Sequence, residues 1–461
     1  MSYDLVIHGG MIASSSGLTR ADLAIRGETI AAIGADLEGR ETLEASGKLV
    51  LPGAIDVHTH FQLPFCGTVS ADDFANGSKA AAMGGVTTFI DFAIQAKPAS
   101  ITEAIARRRA EADGQVCVDY GLHAALTEWN AARQAEIGPI IAAGIPTFKM
   151  FMIYKSQGWQ STDADLFCAL RETARHGGMV GVHAESDDLI NLLQAEAERD
   201  GLKGAYIHAV TRPAVTESEA VARAINIAEA AGGRLYIVHM STGASLERVE
   251  DGLLRGVDVH AETGPHYLLL DDELFKRADG HHFATCPPIR KPADQERLWE
   301  GLGNGSVEVL ATDTCTFTSA QKAMWQGDYR KIPMGMPGIE LLLPLTYSKG
   351  VGERRFDLAQ MLKLLCENPA RLFGLWPRKG TLSVGSDADV VLFDPKLQVT
   401  ISHRDLATHC DYNPFEGTRV TGWPVTTLVR GRPVVRDRKF VGQAGHGRFI
   451  AREPAGFAER G

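Results

Sequence analysis

The segment Asp56-Val57-His58-Thr59-His60 sets two imidazoles two positions apart. Alternate side chains of an extended chain share a face, so His58 and His60 can converge on one ion. Such a pair alone could equally be two surface histidines. Three further apolar runs, however, end in comparable donors: His183 in GVHAES, His239 in IVHMS and Asp313 in ATDTC. Imidazole nitrogens and a carboxylate oxygen are a donor set for divalent metals. Lys149 lies in TFKMFMIY, flanked by Phe148, Met150 and Phe151. A lone lysine ordinarily extends its amine to water, but a desolvated amine loses its proton easily. The neutral amine can add carbon dioxide and become a carbamate, N6-carboxylysine, an anion with two oxygens to share between ions. A carbamate, Asp313 and a hydroxide would then offset most of the charge of two divalent cations.

These side chains need a frame that brings distant segments together. From Ala54 onward, strand-like runs alternate with Ala-rich helical stretches, the pattern of βα units on a parallel sheet. The runs are AIDVH, VTTFIDF, VDYGLHAAL, TFKMFMI, MVGVHAE, LYIVHM, VDVHAE and VEVLATD. Eight of them predict an α/β fold, a (β/α)8 TIM barrel over residues 53–374, with the site at the carboxyl ends of the strands. Both chain ends instead read as short strands broken by turns. The expectation is one small β-sandwich built from residues 1–52 and 375–445, because neither piece could bury a sheet alone. Residues 446–461 read as an exposed tail or an intersubunit arm.

Composition narrows the function. The chain has 461 residues, 44% hydrophobic and 23% charged, which suits a folded globular protein. Its net charge of -10 offers no electrostatic footprint for nucleic acid or an anionic membrane, leaving small-molecule chemistry. Seven cysteines without a CxxC pair suggest neither a disulfide framework nor a thiolate zinc site, and fit a reducing cytoplasm. No run approaches a membrane span, and the amino terminus lacks a secretory pattern.

Beyond these residues, the segments PGAIDVHTH, GGVTTFIDFA, TFKMFMIYK, VHAES, KIPMGMPGIE and DYNPFEGTRVTGWPV resemble the cyclic amidohydrolases, most closely the hydantoinase and dihydropyrimidinase branch. The resemblance implies that His58, His60 and Asp313 hold one metal, His183 and His239 a second, and carboxylated Lys149 both, with zinc the usual metal. It implies a homotetramer and hydrolysis of hydantoins or dihydropyrimidines to N-carbamoyl amino acids, with no organic cofactor. Tyr154 falls where the family places the tyrosine that stabilises the oxyanion, although such a residue can also be an aromatic core filler. Asp313 would serve as ligand and as acid-base group.

Two positions depart from the family pattern. Cys286 precedes Pro287-Pro288 where hydantoinases carry serine, and Met334 follows Ile332-Pro333 where they carry asparagine. Both positions bind substrate through main-chain groups in the family. Leu63, Phe65, Phe151 and Trp159 are candidates for an apolar wall around the exocyclic group. The run AETGPHYLLLDDELF is similar to allantoinases and dihydroorotases, so an allantoinase-like ureide hydrolase is the alternative. His260 and His266 within it read as buried, hydrogen-bonded histidines. No arginine is apparent near the pocket motifs, which predicts uncharged ureides over dihydroorotate. The collapsin response mediator proteins share the fold without a metal centre and act as interaction scaffolds. All six ligand positions are filled here, which favours an enzyme.

Overall fold

The computed structural model describes residues 2–454. Eight parallel strands pair in chain order: β1 (Ala54–Thr59), β2 (Val86–Ile94), β3 (Asp119–Ala125), β4 (Thr147–Phe151), β5 (Met179–His183), β6 (Leu235–Ile237), β7 (Val259–Thr263) and β8 (Val309–Leu310). The segment after β8 returns to the first strand: Thr59 pairs with Thr314, and the His60 amide donates to the Thr314 carbonyl at 2.8 Å. The sheet is therefore a closed barrel without free edges. Each of the eight apolar runs becomes one of these strands.

Helix starts are set by polar caps directly after the strand-end loops. Ser100 and Glu103 exchange side-chain and backbone hydrogen bonds at the start of Ile101–Ala112, and Thr162 and Asp165 do the same at Asp163–Arg175. Such reciprocal caps satisfy amide groups that the first turn leaves without partners. Buried residues on both sides of the strands complete the barrel: Phe148, Met150 and Val180 belong to the core shared with the helices, while Ile55, Val57, Ile90, Tyr236 and Val238 fill the interior.

Strands from both chain ends form a second body. Val390–Thr400 runs antiparallel to Leu49–Pro52, with Val390 opposite Pro52 and Phe393 opposite Leu49, inside a seven-stranded sheet. A four-stranded sheet of Thr29–Gly34, Asp22–Arg26, Tyr3–His8 and Gly39–Glu44 contributes to the same small core, where Ile7, Leu23, Ile25, Val50, Val390 and Leu428 are buried. A buried ion cluster ties this body to the barrel base. Lys379 contacts Asp119 at 2.8 Å, Asp389 at 2.6 Å and Asp387 at 3.1 Å, and Arg430 pairs with Asp119.

The carboxyl-terminal segment departs from the expected exposed tail. The Ile450 amide donates to the Tyr120 carbonyl at 2.8 Å, the Arg452 amide to Gly144 at 2.9 Å and the Glu453 amide to Gly374 at 2.9 Å. Arg452 is 2% exposed, and its guanidinium donates to Thr147 Oγ1 and to the carbonyls of Leu122 and Phe373. A guanidinium offers several donors in one plane and can bond three acceptors at once, so residues 446–454 pack against their own barrel. Residues 455–461 of that expectation lie outside the described residues. Among the described residues, no helix is long and apolar enough to cross a membrane.

Candidate metal centre and active site

His58 does not reach the barrel interior by simple alternation. Phe89 pairs with Asp56 and Asp91 with Thr59, so β1 advances one residue more than β2 over that interval. Val57 packs in the barrel-filling cluster and His58 lines the cavity above it. The irregularity is a β-bulge, a device that re-aims a side chain near a site. Asp56 supports the turn: it accepts from the His58 amide at 3.3 Å and the Thr312 amide at 3.1 Å.

The six proposed ligands all line one cleft of about 610 Å³ at the carboxyl ends of the strands. That size suits a small molecule. His58 Nε2 and His60 Nε2 approach Asp313 Oδ1 at 3.1 and 3.2 Å. The His183 and His239 rings meet edge to face with centroids 4.5 Å apart, and His239 lies 5.4 Å from His58. Lys149 is buried on β4, its Nζ 5.5 Å from the Phe92 ring centre and 5.8 Å from Phe151. No carboxylate closes on it as an ion pair among the described residues. Burial lowers its pKa to about 8, against the charges of Glu262 and Asp313.

Carboxylates behind the imidazoles set their tautomers. His58 Nδ1 pairs with Glu262, which also accepts from the His239 amide at 3.0 Å and the Tyr236 hydroxyl at 2.9 Å. His183 Nε2 pairs with Glu185 at 2.7 Å. In each histidine one nitrogen donates to the carboxylate, and the other keeps its lone pair for a ligand role. Desolvation holds His60, His183 and His239 below the ordinary imidazole range, so they are neutral donors. His60 Nδ1 and His239 Nδ1 are buried without hydrogen-bond partners. Neutral, oriented and partly unsatisfied nitrogens beside an acid and a proton-releasing amine fit a divalent metal centre.

The remaining expected residues share the cleft. Leu63, Phe65, Phe151 and Trp159 line it, with Trp159 against both Phe65 and Phe151, and Tyr154, Cys286 and Met334 line it as well. Phe92, Ile94, Thr285, Cys315 and Gly335 also line it and were not anticipated; Phe92 and Ile94 simply belong to an apolar strand. Tyr154 packs on His183 with centroids 5.3 Å apart. Its hydroxyl donates to the Cys286 sulfur, whose S–H donates to Glu185 at 3.3 Å. Burial, with Cys286 and Glu185 nearby, pushes the phenol well above its ordinary pKa and keeps it protonated.

The expectation of no nearby arginine needs correction. Arg212, from a segment with no recognisable motif, donates to Glu185 at 2.9 Å behind the Cys286 wall. Its charge is committed to that buried carboxylate. His260 lies outside the cleft, bonded to Asp258 at 3.0 Å and to Glu308 at 2.5 Å, the buried bonded histidine expected. His266 is buried, but its Nε2 lacks the hydrogen bond expected of it; its ring lies tilted by 52° against Tyr267 with centroids 4.0 Å apart.

A closed βα barrel with these donors at its carboxyl ends defines a metal-dependent enzyme. Residues 49–434 match the amidohydrolase family. A D-hydantoinase of Geobacillus stearothermophilus is 40% identical over 457 residues, covering 98% of this chain and 97% of that one. A D-phenylhydantoinase of Escherichia coli O1:K1 is 38% identical over 456 residues, 98% of each. The crystal structure of dihydropyrimidinase from Brevibacillus agri NCHU1002 superposes with a TM-score of 0.96 at 39% identity, covering 98% of this chain and 99% of that one. The chain belongs to the amidohydrolase family.

Proposed function

We propose that the chain opens hydantoin and dihydropyrimidine rings to N-carbamoyl amino acids, using two zinc ions. The observation that carries this reading is the meeting of four imidazoles, one carboxylate and a buried, proton-releasing lysine at a cleft with otherwise apolar walls. Whole-length similarity to proteins named D-hydantoinase and dihydropyrimidinase supports the ring class. His58, His60 and Asp313 would hold one ion, His183 and His239 the other, and the Lys149 carbamate both. Bound there, such ions supply Lewis acidity, which makes water acidic near neutral pH and polarises the carbonyl under attack.

The chain's own residues carry the other requirements. Hydrolysis adds oxygen to a ring carbonyl carbon, breaks the C–N bond and returns a proton to the departing nitrogen. Burial would push Asp313 up, but His58 and His60 more than offset it and hold the carboxylate well below its usual range. It is therefore ionised, able to take the proton from the attacking water and pass it to the nitrogen. The protonated Tyr154 hydroxyl can turn from Cys286 to the carbonyl oxygen as charge develops there. Leu63, Phe65, Phe151 and Trp159 would cover the exocyclic substituent and keep bulk water out. Arg212 is paired with Glu185 and no arginine lines the cleft among the described residues, which supports uncharged ureides over dihydroorotate.

A substrate panel with metal analysis tests this reading. Zinc-loaded protein is expected to contain two metals per chain and to turn over hydantoins or dihydrouracil faster than allantoin or dihydroorotate. Allantoin is included because of the GPHYLLL segment. Fastest turnover of dihydroorotate, or of no cyclic ureide at all, contradicts the proposal. A homotetramer in the cytoplasm completes it. The resemblance to hydantoinases supports the first, with a monomer in light scattering as the contrary result; seven unpaired cysteines support the second.

A further inference from the structure

Lys322 is fully buried on the short helix Ser319–Lys322, at 0% exposure. Its Nζ donates to the Ala284 carbonyl at 3.0 Å and to the Pro333 carbonyl at 2.6 Å. No carboxylate pairs with it among the described residues. Around it lie the Phe317 ring, with its centre 5.8 Å from Nζ, and the thiols of Cys66, Cys315 and Cys410. Desolvation brings its pKa down to about 7. An amine buried without a counter-ion costs free energy that a methionine of similar length would not. What it gains is two main-chain bonds to two different segments.

Those neighbouring segments carry Thr285 and Cys286, and Met334 and Gly335, all of which line the cleft. The Gly335 amide also donates to the Ala284 carbonyl, at 2.9 Å, so Ala284 is the shared acceptor of the whole arrangement. Gly335 has φ of +141°, and a Cβ there would lie 2.4 Å from the Cys315 carbonyl oxygen, so the strip has no slack for a side chain. A neutral amine keeps two N–H groups and an ammonium has three; either form can hold both carbonyls.

We infer that Lys322 is a positioning residue that clamps the Ala284–Cys286 and Pro333–Gly335 main chains at the separation needed to seat the substrate ring. The inference rests on the proposed function, with the ring in the cleft that Cys286 and Met334 help to line. Lys322 itself does not line the cleft. Its loss should weaken ring binding while leaving the ligand cluster and Tyr154 in place.

The test is Lys322→Met in the full-length, zinc-loaded protein, with far-UV circular dichroism and metal content as controls. KM for hydantoin or dihydrouracil is expected to rise at least tenfold while kcat stays within threefold. Hydrogen exchange at the Gly335 amide should accelerate at least tenfold, with the barrel strands unchanged. An unchanged KM in a folded variant overturns the inference, as does parallel loss of kcat and metal. If Lys322→Met does not fold, Thr318→Ala replaces it: the Thr318 hydroxyl accepts from the Gln321 amide and caps the lysine's helix. A threefold or larger rise in KM is expected there, and none refutes the clamp. If the parent protein hydrolyses no cyclic ureide, the functional reading fails by itself. The Gly335 exchange rate then still decides whether Lys322 holds the two segments.

Discussion

Replacing Tyr154 by phenylalanine removes one oxygen and leaves the ring. The ring's neighbours, Phe151 at 5.9 Å, Trp159 at 6.0 Å and His183 at 5.3 Å between centroids, keep their aromatic partner. The ground state loses the bond to the Cys286 sulfur, worth roughly 1 kcal/mol for a neutral pair. The transition state loses a donor aimed at developing negative charge, and such a donor is worth about 2.7–4 kcal/mol, or roughly 10²–10³ in kcat. Tyr154→Phe should therefore lower kcat on the preferred ureide by that factor, with KM, bound metal and thermal stability nearly unchanged. Steady-state kinetics with metal analysis reads all of these. A kcat within threefold of the parent, at equal metal content, would refute the oxyanion role and leave Tyr154 as cleft packing.

Three further outcomes are expected. Lys149→Ala and Lys149→Arg should each retain less metal and lose several orders of magnitude in turnover, and a short carboxylic acid with added metal should partly rescue the alanine variant; full metal and normal turnover without acid would dismiss the carbamate bridge. Arg212→Met leaves buried Glu185 without its counter-charge, a cost of about 3–5 kcal/mol; a large fall in thermal midpoint is expected, with an unchanged midpoint the contrary result. Burial pulls His260 down, but Glu308 and Asp258 more than offset it and raise its pKa above 6.5; its pairs should stabilise fully below pH 6.5 and fade as pH rises through the raised value, so His260→Gln should flatten that decline in urea melts.

Much of this architecture was legible because the strands are apolar on both faces. AIDVH, VTTFIDF and the other six runs stand out between Ala-rich helices. The terminal strands YDLVIH, MIAS and DLAIR likewise carry enough aliphatic residues to be recognised. Gly39–Glu44, GRETLE, gives no such signal: it is a polar, largely exposed edge strand whose pairing with Tyr3–His8 is not written in its hydropathy. Helix Asp187–Arg199 carries an acidic first turn and a basic last turn, ordinary helix signals directly after the VHAES motif. The metal-ligand candidates were legible by residue type and place at strand ends. Glu262, Glu185 and Arg212 were not, because an acidic residue beside a histidine motif looks like a solvated charge until tertiary contacts bury it.

Spacing also identifies side chains without giving their directions. Tyr154, His239 and Asp313 have φ of 69°, 39° and 49°, a left-handed conformation that costs an L-residue roughly 1–2 kcal/mol. Each follows closely after a barrel strand, at β4, β6 and β8 respectively, where the chain leaves the ladder. An alternation rule fails at these points, as it fails at the bulge that turns His58 inward. Local hydrogen bonds oppose the strain: Glu262 accepts from the His239 amide, and the next amide, that of Met240, donates to the Glu262 carbonyl at 2.8 Å. Glu262 thus fixes both the tautomer of His58 and the backbone of His239, two donors proposed for different ions. Its replacement by glutamine would leave a hydrogen-bonding group of the same shape but exchange an acceptor-only carboxylate for an amide with two donors. Glu262 therefore ties the His58 ring to the His239 backbone, a link that neither the HxH spacing nor the VHAE strand pattern could disclose.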